Sequence, residues 1–147
     1  MIDDVVTALV DTFTAATADL QGVVVLDGPP GREIWDKIAI GVGITPQDNL
    51  PAVESTPTAT GADSNVDEMV VVRCWLQVSE MGAEISAVRA QLTSVLGLLD
   101  NAVHSDRTLG HRVGLAWMPG VQRYFQGRTT DATFVEVFFD VTAMVYR

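Results

Sequence analysis

The residues best suited to chemistry in this sequence are two histidines and the aspartate between them, His104, Asp106 and His111. Imidazole nitrogens and a carboxylate can bind a metal ion when a rigid scaffold makes them converge. Here they fall at the predicted end of a helix and across the following turn, which does not favour convergence. A Ser-His-Asp arrangement could include Ser105 or Ser79, but neither serine has the spacing of a nucleophile elbow. The sequence therefore predicts no metal site and no catalytic residue.

Two glycine-containing segments lack the full pattern of a dinucleotide or phosphate loop. Gly41-Val-Gly43 lacks the third glycine and the following helix of a dinucleotide loop. The segment Gly28–Gly31 is followed by a strand and lacks the Lys-Ser/Thr pair of a phosphate loop. The single cysteine, Cys74, excludes an internal disulfide, and its apolar strand face indicates a buried thiol rather than a reactive one. No cofactor is expected.

The segment from Val66 to His104 is predicted to form a strand over residues 66–78, a turn over 79–82 and a long amphipathic helix. One strand face is wholly apolar and is expected to meet the helix: Val70, Val72, Cys74, Leu76 and Val78. The helix has a matching apolar stripe: Ile85, Val88, Leu92, Val95, Leu96, Leu99 and Val103. The opposite strand face is mixed and is either half-covered core or a surface for a partner: Met69, Val71, Arg73 and Trp75.

The remaining elements complete an α+β pattern. A helix is predicted for residues 2–20, and strands are predicted for 23–26, 34–43, 111–118 and 133–147. Pro119 and Gly120 interrupt the strand at 111–118 as a bend or bulge, and residues 121–126 are its possible continuation. The closing strand again has one apolar and one mixed face, as expected for adjacent antiparallel strands. We predict a single mixed or antiparallel sheet of four to five strands, with two helices packed on one face, in the order α-β-β-β-α-β-β. Residues 1–147 are expected to form one domain.

Residues 44–65 separate the second and third predicted strands and show no apolar periodicity. They are rich in Pro, Thr, Ser, Ala, Gly and Asp, and include Pro46, Pro51 and Pro57. A structureless loop of this length is uncommon in a compact domain and is usually functional or disordered. Two interpretations of this long flexible loop stay open: a disordered segment, or an arm that becomes ordered against a neighbouring subunit.

Charge is distributed unevenly along the 147 residues, 48% of which are hydrophobic. The formal net charge is −10, and residues 1–80 carry 13 acidic and 3 basic side chains, whereas residues 81–147 carry 6 of each. This balance argues against gripping nucleic acid phosphates, although solubility alone could explain it. Four arginines near the last turns either form a basic rim for a protein partner or balance a solvated edge: Arg107, Arg112, Arg123 and Arg128.

Targeting signals are not recognisable in the sequence. No charge-free apolar run approaches the about 20 residues that a membrane span requires. Asp3 and Asp4 lie near the N-terminus, where a signal peptide needs positive charge. We therefore expect synthesis in a cytoplasm without export, and no membrane partner.

Several short motifs follow one another in a recognisable order. The N-terminal helix is followed by Val25-Leu-Asp-Gly-Pro-Pro30 and by the strand Ile38-Ala-Ile-Gly-Val42. A variable polar loop precedes a strand with Arg73-Cys-Trp75, which leads into a helix with Ala87-Val-Arg-Ala90. Thr108-Leu-Gly110 and an alternating final strand complete the series. In their order and spacing, these motifs resemble the tail terminator (minor tail, tail-completion) proteins of long-tailed bacteriophages, especially phages of actinobacteria.

This resemblance implies a structural role in the virion and no catalytic residues. Members of that family form a ring, typically of six subunits, which caps the head-proximal end of the tail tube, stops tube polymerisation and meets the head connector. The implied partners are copies of the chain itself, the tail tube protein and the head-tail connector protein. DNA would pass through the lumen without specific binding, after assembly in the host cytoplasm. The alternatives are a head-completion or connector-stopper protein of the same virion and a small cytoplasmic α+β enzyme or ligand-binding protein.

A closed ring requires two different surface patches on each subunit. The mixed sheet face and the long loop are the two patches that the sequence offers. The acidic first part of the chain would suit a lumen in which DNA slides without sticking. The residues predicted to form the oligomer or partner interface are Met69, Val71, Arg73, Trp75, Arg123, Arg128, Phe134 and Phe138.

Overall fold

A computed structural model describes residues 2–29, 31, 36–45, 50–59, 66–118, 122–129 and 131–146. The described chain has two helices and seven strands and belongs to the α+β class, as predicted. In chain order the elements are α1 (Ile2–Ala16), β1 (Val23–Asp27), β2 (Ile38–Val42), β3 (Val53–Ala59), β4 (Val66–Met81), α2 (Ile85–Ser105), β5 (Leu115–Trp117), β6 (Gln122–Arg128) and β7 (Ala132–Val145).

The strands form one mixed sheet around two long antiparallel strands, β4 and β7. Strands β2 and β3 share one edge of β4, where β2 pairs with residues 74–78 and β3 pairs with residues 66–72. In the same way, β6 and β5 share the far edge of β7, opposite residues 133–139 and 142–144. Strand β1 extends the sheet beyond β2 in the parallel direction. The sheet therefore contains two rows of strands, β1-β2-β4-β7-β6 and β3-β4-β7-β5.

Both helices pack on one face of this sheet, as predicted, and share one hydrophobic core with it. Phe13 of α1 reaches Phe139 of β7, with ring centroids 6.3 Å apart. Removing such apolar area from water stabilises the fold by roughly 25 cal/mol per Å². The side chains that β4 and β7 turn towards the helices are at most 2% exposed: Val70, Val72, Cys74, Leu76, Val78, Val135, Val137, Phe139, Val141 and Ala143.

The sheet has seven strands, so the predicted number of four to five was too low. One additional strand, β3, lies within residues 44–65, which the composition predicted to be a loop throughout. Pro57 is tolerated in β3 because this strand lies at the edge of the sheet. The second additional strand is β6. Its polar sequence agrees with its position, since neither helix covers it and Tyr124 is 55% exposed. Residues 46–49 and 60–65 of the predicted loop lie outside the described residues.

Several element boundaries also differ from the prediction. Helix α1 ends at Ala16 rather than near residue 20, and β4 continues to Met81, where it still pairs with β7. The strand predicted for residues 111–118 is confined to β5, because the preceding residues form a turn. In that turn the Asp106 carboxylate accepts hydrogen bonds from the backbone N–H groups of Thr108 and Gly110. Residues 34–35 and the bend predicted at 119–120 lie outside the described residues.

Candidate functional site: the uncovered face of the sheet

The face of the sheet opposite the helices, called the outer face below, carries seven of the eight predicted interface residues. The register places Arg73 opposite Asp140 and Trp75 opposite Phe138 in the central strand pair. Arg123 of β6 lies opposite Phe138 on the other side of β7. Because side chains alternate along a strand, the outer face also contains Met69, Val71 and Phe134.

Arg128 is the predicted interface residue that the fold separates from the others. It pairs with Thr133, whose side chain points towards the helices, so the exposed Arg128 lies on the helix side of β6. There it lines a surface cleft with Gly82 and Glu84, next to the beginning of α2. Arg123 and Arg128 therefore cannot act together on one face of the sheet.

The apolar residues of the outer face are only half-buried in the single chain. Met69, Val71, Phe134 and Phe138 all have intermediate exposure, in contrast to the fully buried residues on the helix side of the same strands. No helix of the described chain packs over this face. An incompletely covered apolar face of this kind is characteristic of a surface that meets another molecule.

Trp75 is the exception on this face, since it is 9% exposed and packs within its own chain. Its indole Nε1–H donates to Glu136 Oε2 at 2.8 Å, and Gln77 Nε2 donates to the same oxygen at 3.4 Å. Gly41 makes room beside it, because a Cβ there would lie 2.0 Å from Ile44 Cδ1 and 3.3 Å from Trp75 Cε3. The mixed face is interpreted either as half-covered core or as a surface for a partner. For Trp75, the first interpretation applies.

Arg73 holds the segment between β2 and β3 against the outer face. Its guanidinium donates to the carbonyl oxygen of Pro51 at 2.7 Å and to Glu54 Oε2 at 2.8 Å. The side chain is 14% exposed. Its backbone joins the two strands as well, because the N–H donates to Ala52 and the C=O accepts from Gly43. Arg73 thus makes these hydrogen bonds within its own chain.

A cleft of about 200 Å³ opens on the outer face between this segment and β6. Ile44, Leu50 and Phe138 form apolar walls, and Arg123 and Asp140 add one charge of each sign. Cys74 also borders the cleft, but burial raises the pKa of its thiol far above the usual range. The thiol therefore stays protonated and is not a nucleophile. The cleft is suited to an apolar side chain with a polar tip.

Two exposed aromatic residues in β6 were not among the predicted interface residues. Phe125 is 48% exposed on the outer face and meets Phe138 edge to face, with ring centroids 5.8 Å apart. Tyr124 is 55% exposed on the helix side of the same strand. The sequence contained a signal for this exposure. Two adjacent aromatic residues in one strand point to opposite faces, so they cannot both lie on the face that packs against the helices. Phe125 therefore extends the candidate surface to β6, whereas Tyr124 lies on the opposite side of the sheet.

Two members of the His104, Asp106 and His111 group make local contacts within α2 and the turn that follows it. His104 Nδ1 lies 3.1 Å from Asp100 Oδ1 within α2, and Asp106 is occupied by its own turn. The pKa of Asp106 is lowered, chiefly by the Thr108 hydroxyl and then by the Gly110 N–H, which is typical of a structural carboxylate. Among the described residues, no group of three or more His, Cys, Asp or Glu side chains could hold a metal ion.

No protein-family model matches this chain, and no curated protein sequence matches it either. In the described part of the chain, neither helix combines the length and the apolar character that crossing a membrane requires.

Proposed function

We propose that this protein is a structural subunit of a bacteriophage tail terminator. Copies of the chain form a ring on the head-proximal end of the tail tube, stop further addition of tube subunits and provide the joint to the head connector. The ring contains no catalytic residue, and DNA passes through its lumen without sequence-specific contacts. The proposal combines the order of sequence motifs with the surface that the fold leaves uncovered.

The observation that carries this proposal is the incompletely covered outer face. Met69, Val71, Phe134 and Phe138 remain half-buried there, and Phe125 extends the apolar surface to β6. A subunit of a closed ring must bury two different patches against its neighbours. A monomer that wrapped this face within itself would have no comparable patch to offer.

The charge distribution is also compatible with a DNA-conducting ring. The net charge of −10 arises entirely from residues 1–80, which include α1, β1 and β2. Acidic groups repel the phosphate backbone, so a lumen lined by this part of the chain would let DNA move without binding. A lumen lined mainly by the arginines of residues 81–147 would contradict this explanation.

Electron microscopy of phage particles assembled without this protein tests the proposal. The expected particles have tails longer than the wild-type length and heads without attached tails, because the tube continues to polymerise and has no joint. Adding the wild-type gene on a plasmid restores normal particles and is the control. Joined particles with tails of normal length would show that the proposal is wrong.

The same micrographs separate the terminator from its nearest alternative. A head-completion or connector-stopper protein acts on the head, so its loss leaves tails of normal length beside heads that leak or lack DNA. Binding of the purified protein to isolated tail tubes, rather than to filled heads, gives a second readout. The terminator proposal requires binding at one end of the tube only.

A further inference from the structure

We propose that neighbouring subunits of the ring join by β-sheet pairing, with the edge of β6 in one copy bound to the edge of β1 in the next. The inference rests on the proposed ring, and it names two strand edges through which neighbouring copies would join, in addition to the outer face. It follows from the directions of the backbone hydrogen-bonding groups in the four edge strands. Strands β6 and β1 lie at opposite ends of one row, β1-β2-β4-β7-β6.

The outward edge of β6 has available backbone groups. Thr129 N–H donates to the Ala132 carbonyl at 2.8 Å, which identifies residues 129 and 132 as a hydrogen-bonded pair. Hydrogen-bonded pairs alternate along an antiparallel ladder, so Phe125 and Gly127 bond to β7. The N–H and C=O groups of Gln126 and Arg128 therefore point away from β7. No described strand pairs with that edge.

The outward edge of β1 is available in the same sense. Ile38 N–H donates to the Gly22 carbonyl and Gly28 N–H donates to the Val42 carbonyl, at 2.9 and 2.8 Å. Alternation then directs the backbone groups of residues 22, 24, 26 and 28 to β2. Those of Val23, Val25 and Asp27 point away from the sheet, and no strand in the described chain pairs with them.

Each edge of the other row is blocked at one position. In β3, the Ala52 carbonyl accepts a 2.8 Å bond from Arg73 N–H, so Ala52 bonds to β4. Bonding alternates along an antiparallel ladder, so the backbone nitrogen of residue 57 points away from β4. Pro57 occupies that position and has no N–H to donate. In β5, the outward N–H of Ala116 already donates to the Arg107 carbonyl at 2.7 Å. Proline and covering loops are common protections of edge strands against unwanted pairing.

The sheet therefore divides into two halves. The open half consists of β1, β2 and β6 with residues 74–81 of β4 and 132–139 of β7. The blocked half consists of β3 and β5 with residues 66–72 of β4 and 141–145 of β7. Only the open half ends on both sides in edges that can accept another strand.

Strand directions in the open half favour a closed ring. Strands β1, β2 and β7 run one way, whereas β4 and β6 run the other way. Rotation about an axis along the strands preserves their directions, so β6 meets the β1 of the next copy in the antiparallel direction. A head-to-tail contact of this kind forms a ring when the rotation between neighbouring copies closes on itself.

Charge and shape also agree with this pairing. Strand β6 contains Arg123 and Arg128 and no acidic residue, whereas β1 ends in the exposed Asp27 and contains no basic residue. A surface cleft of about 340 Å³ lies along β1 beside the end of α1, lined in part by Leu20 and Val25. An aromatic side chain at the neighbouring edge could enter it. Pairing of β6 with β6 is disfavoured, because it would bring together two strands that carry only positive charge.

Cysteine cross-linking between two different variants tests this contact directly. Gln126→Cys and Val25→Cys are placed in separate full-length proteins of distinguishable mass, which are mixed and oxidised with and without purified tail tubes. Cys74 is fully buried and does not compete for the oxidant. The mixed dimer is expected to form about tenfold faster than with the control pair Gln126→Cys and Ser55→Cys, because pairing raises the effective concentration. Equal rates, or no cross-link in either mixture, would overturn the proposal.

A proline substitution provides an independent test. Gln126→Pro removes an outward N–H and leaves the bonds between β6 and β7 intact, as Pro57 does in β3. Self-association measured by analytical ultracentrifugation should weaken about tenfold or more, since one hydrogen bond is lost and the neighbouring strand is displaced. The control Ser55→Pro changes an edge that is already blocked and should leave association unchanged. Thermal unfolding confirms that each variant is folded.

The two proposals can fail separately. Overlong tails in the absence of the protein, together with normal tail termination by Gln126→Pro, would retain the terminator function and reject the pairing of β6 with β1. Specific cross-linking of residues 126 and 25, together with normal tails in the absence of the protein, would retain the self-pairing and reject the terminator function.

Discussion

The open and blocked halves of the sheet share the same two central strands and the same hydrophobic core, yet they end differently. Strands β4 and β7 run through both halves, and their helix-facing residues are buried along the whole length. The blocked half ends in Pro57 on one side and in the Arg107 carbonyl on the other. The open half ends in β1 and β6, whose outward backbone groups have no described strand beside them.

This difference shows that exposure of an edge is a local property of the strand, not a consequence of a weak core. A long sheet edge is a hazard for aggregation, and proteins usually protect it with proline, charge or a covering segment. In this chain one half has such protection at both ends. Protection of one half confines association to the other half and to one direction, which a ring of defined size requires.

The largest effect is expected for a truncation in the shared core. Leu76 is fully buried in the open half, so Leu76→Ala should lower the free energy of unfolding by about 2–5 kcal/mol. Urea unfolding followed by both circular dichroism and tryptophan fluorescence measures this loss. The two signals should coincide, because β4 and β7 link the halves into one cooperative unit. Met81→Ala, in the same strand but 78% exposed, should change stability by less than about 0.5 kcal/mol.

A smaller loss is expected at the junction between the halves. Arg73→Ala removes the bonds to Pro51 and Glu54 and should cost about 1–3 kcal/mol, because two hydrogen bonds from a charged, mostly buried guanidinium are lost. Hydrogen exchange should accelerate in β3 more than in β2. The control Lys37→Ala removes an exposed ion pair with Glu80 and should cost about 0–1 kcal/mol. Equal acceleration in both strands would show that Arg73 does not anchor β3.

Removing the protection of the blocked half should create a second site of association. Pro57→Ala restores an outward N–H in β3 without altering its bonds to β4. Light scattering should then show a concentration-dependent rise in apparent mass at concentrations where the wild-type protein is unchanged. Pro51→Ala is the matched control, since Pro51 precedes β3 and its carbonyl acceptor is retained. Identical behaviour of the two variants would show that Pro57 does not protect the edge.

The smallest effect is expected for acidification of the turn that covers β5. The folded-state pKa of Asp106 lies below its ordinary value of 3.8, chiefly because the Thr108 hydroxyl donates to its carboxylate. The contribution of Asp106 to the free energy of unfolding is therefore present above its unfolded-state pKa. It is lost as the pH falls through its folded-state pKa. NMR titration should show the N–H signals of Thr108 and Gly110 moving together below pH 3.8. Asp106→Asn should remove this movement, and an unchanged titration would assign it to another carboxyl group.

Much of the outer face could be predicted from the alternation of residue types in two strands. Alternation alone placed Met69, Val71, Phe134 and Phe138 on the side away from the helices, and the register confirms that they share it. Their relation to the segment between β2 and β3 could not be predicted in this way. Arg73 was interpreted as a candidate for a partner contact, whereas it bonds to Pro51 and Glu54 of its own chain.

The sequence by itself determined the α+β class, the two amphipathic helices and the buried face of the long strands, because apolar periodicity reports directly which side chains avoid water. It also determined that Cys74 is buried, for the same reason. Only the tertiary structure decided which strands lie at the edges and where their backbone groups point. Every residue carries the same N–H and C=O groups, so strand neighbours and their bonding directions arise from pairing between distant segments and have no local pattern of residue types.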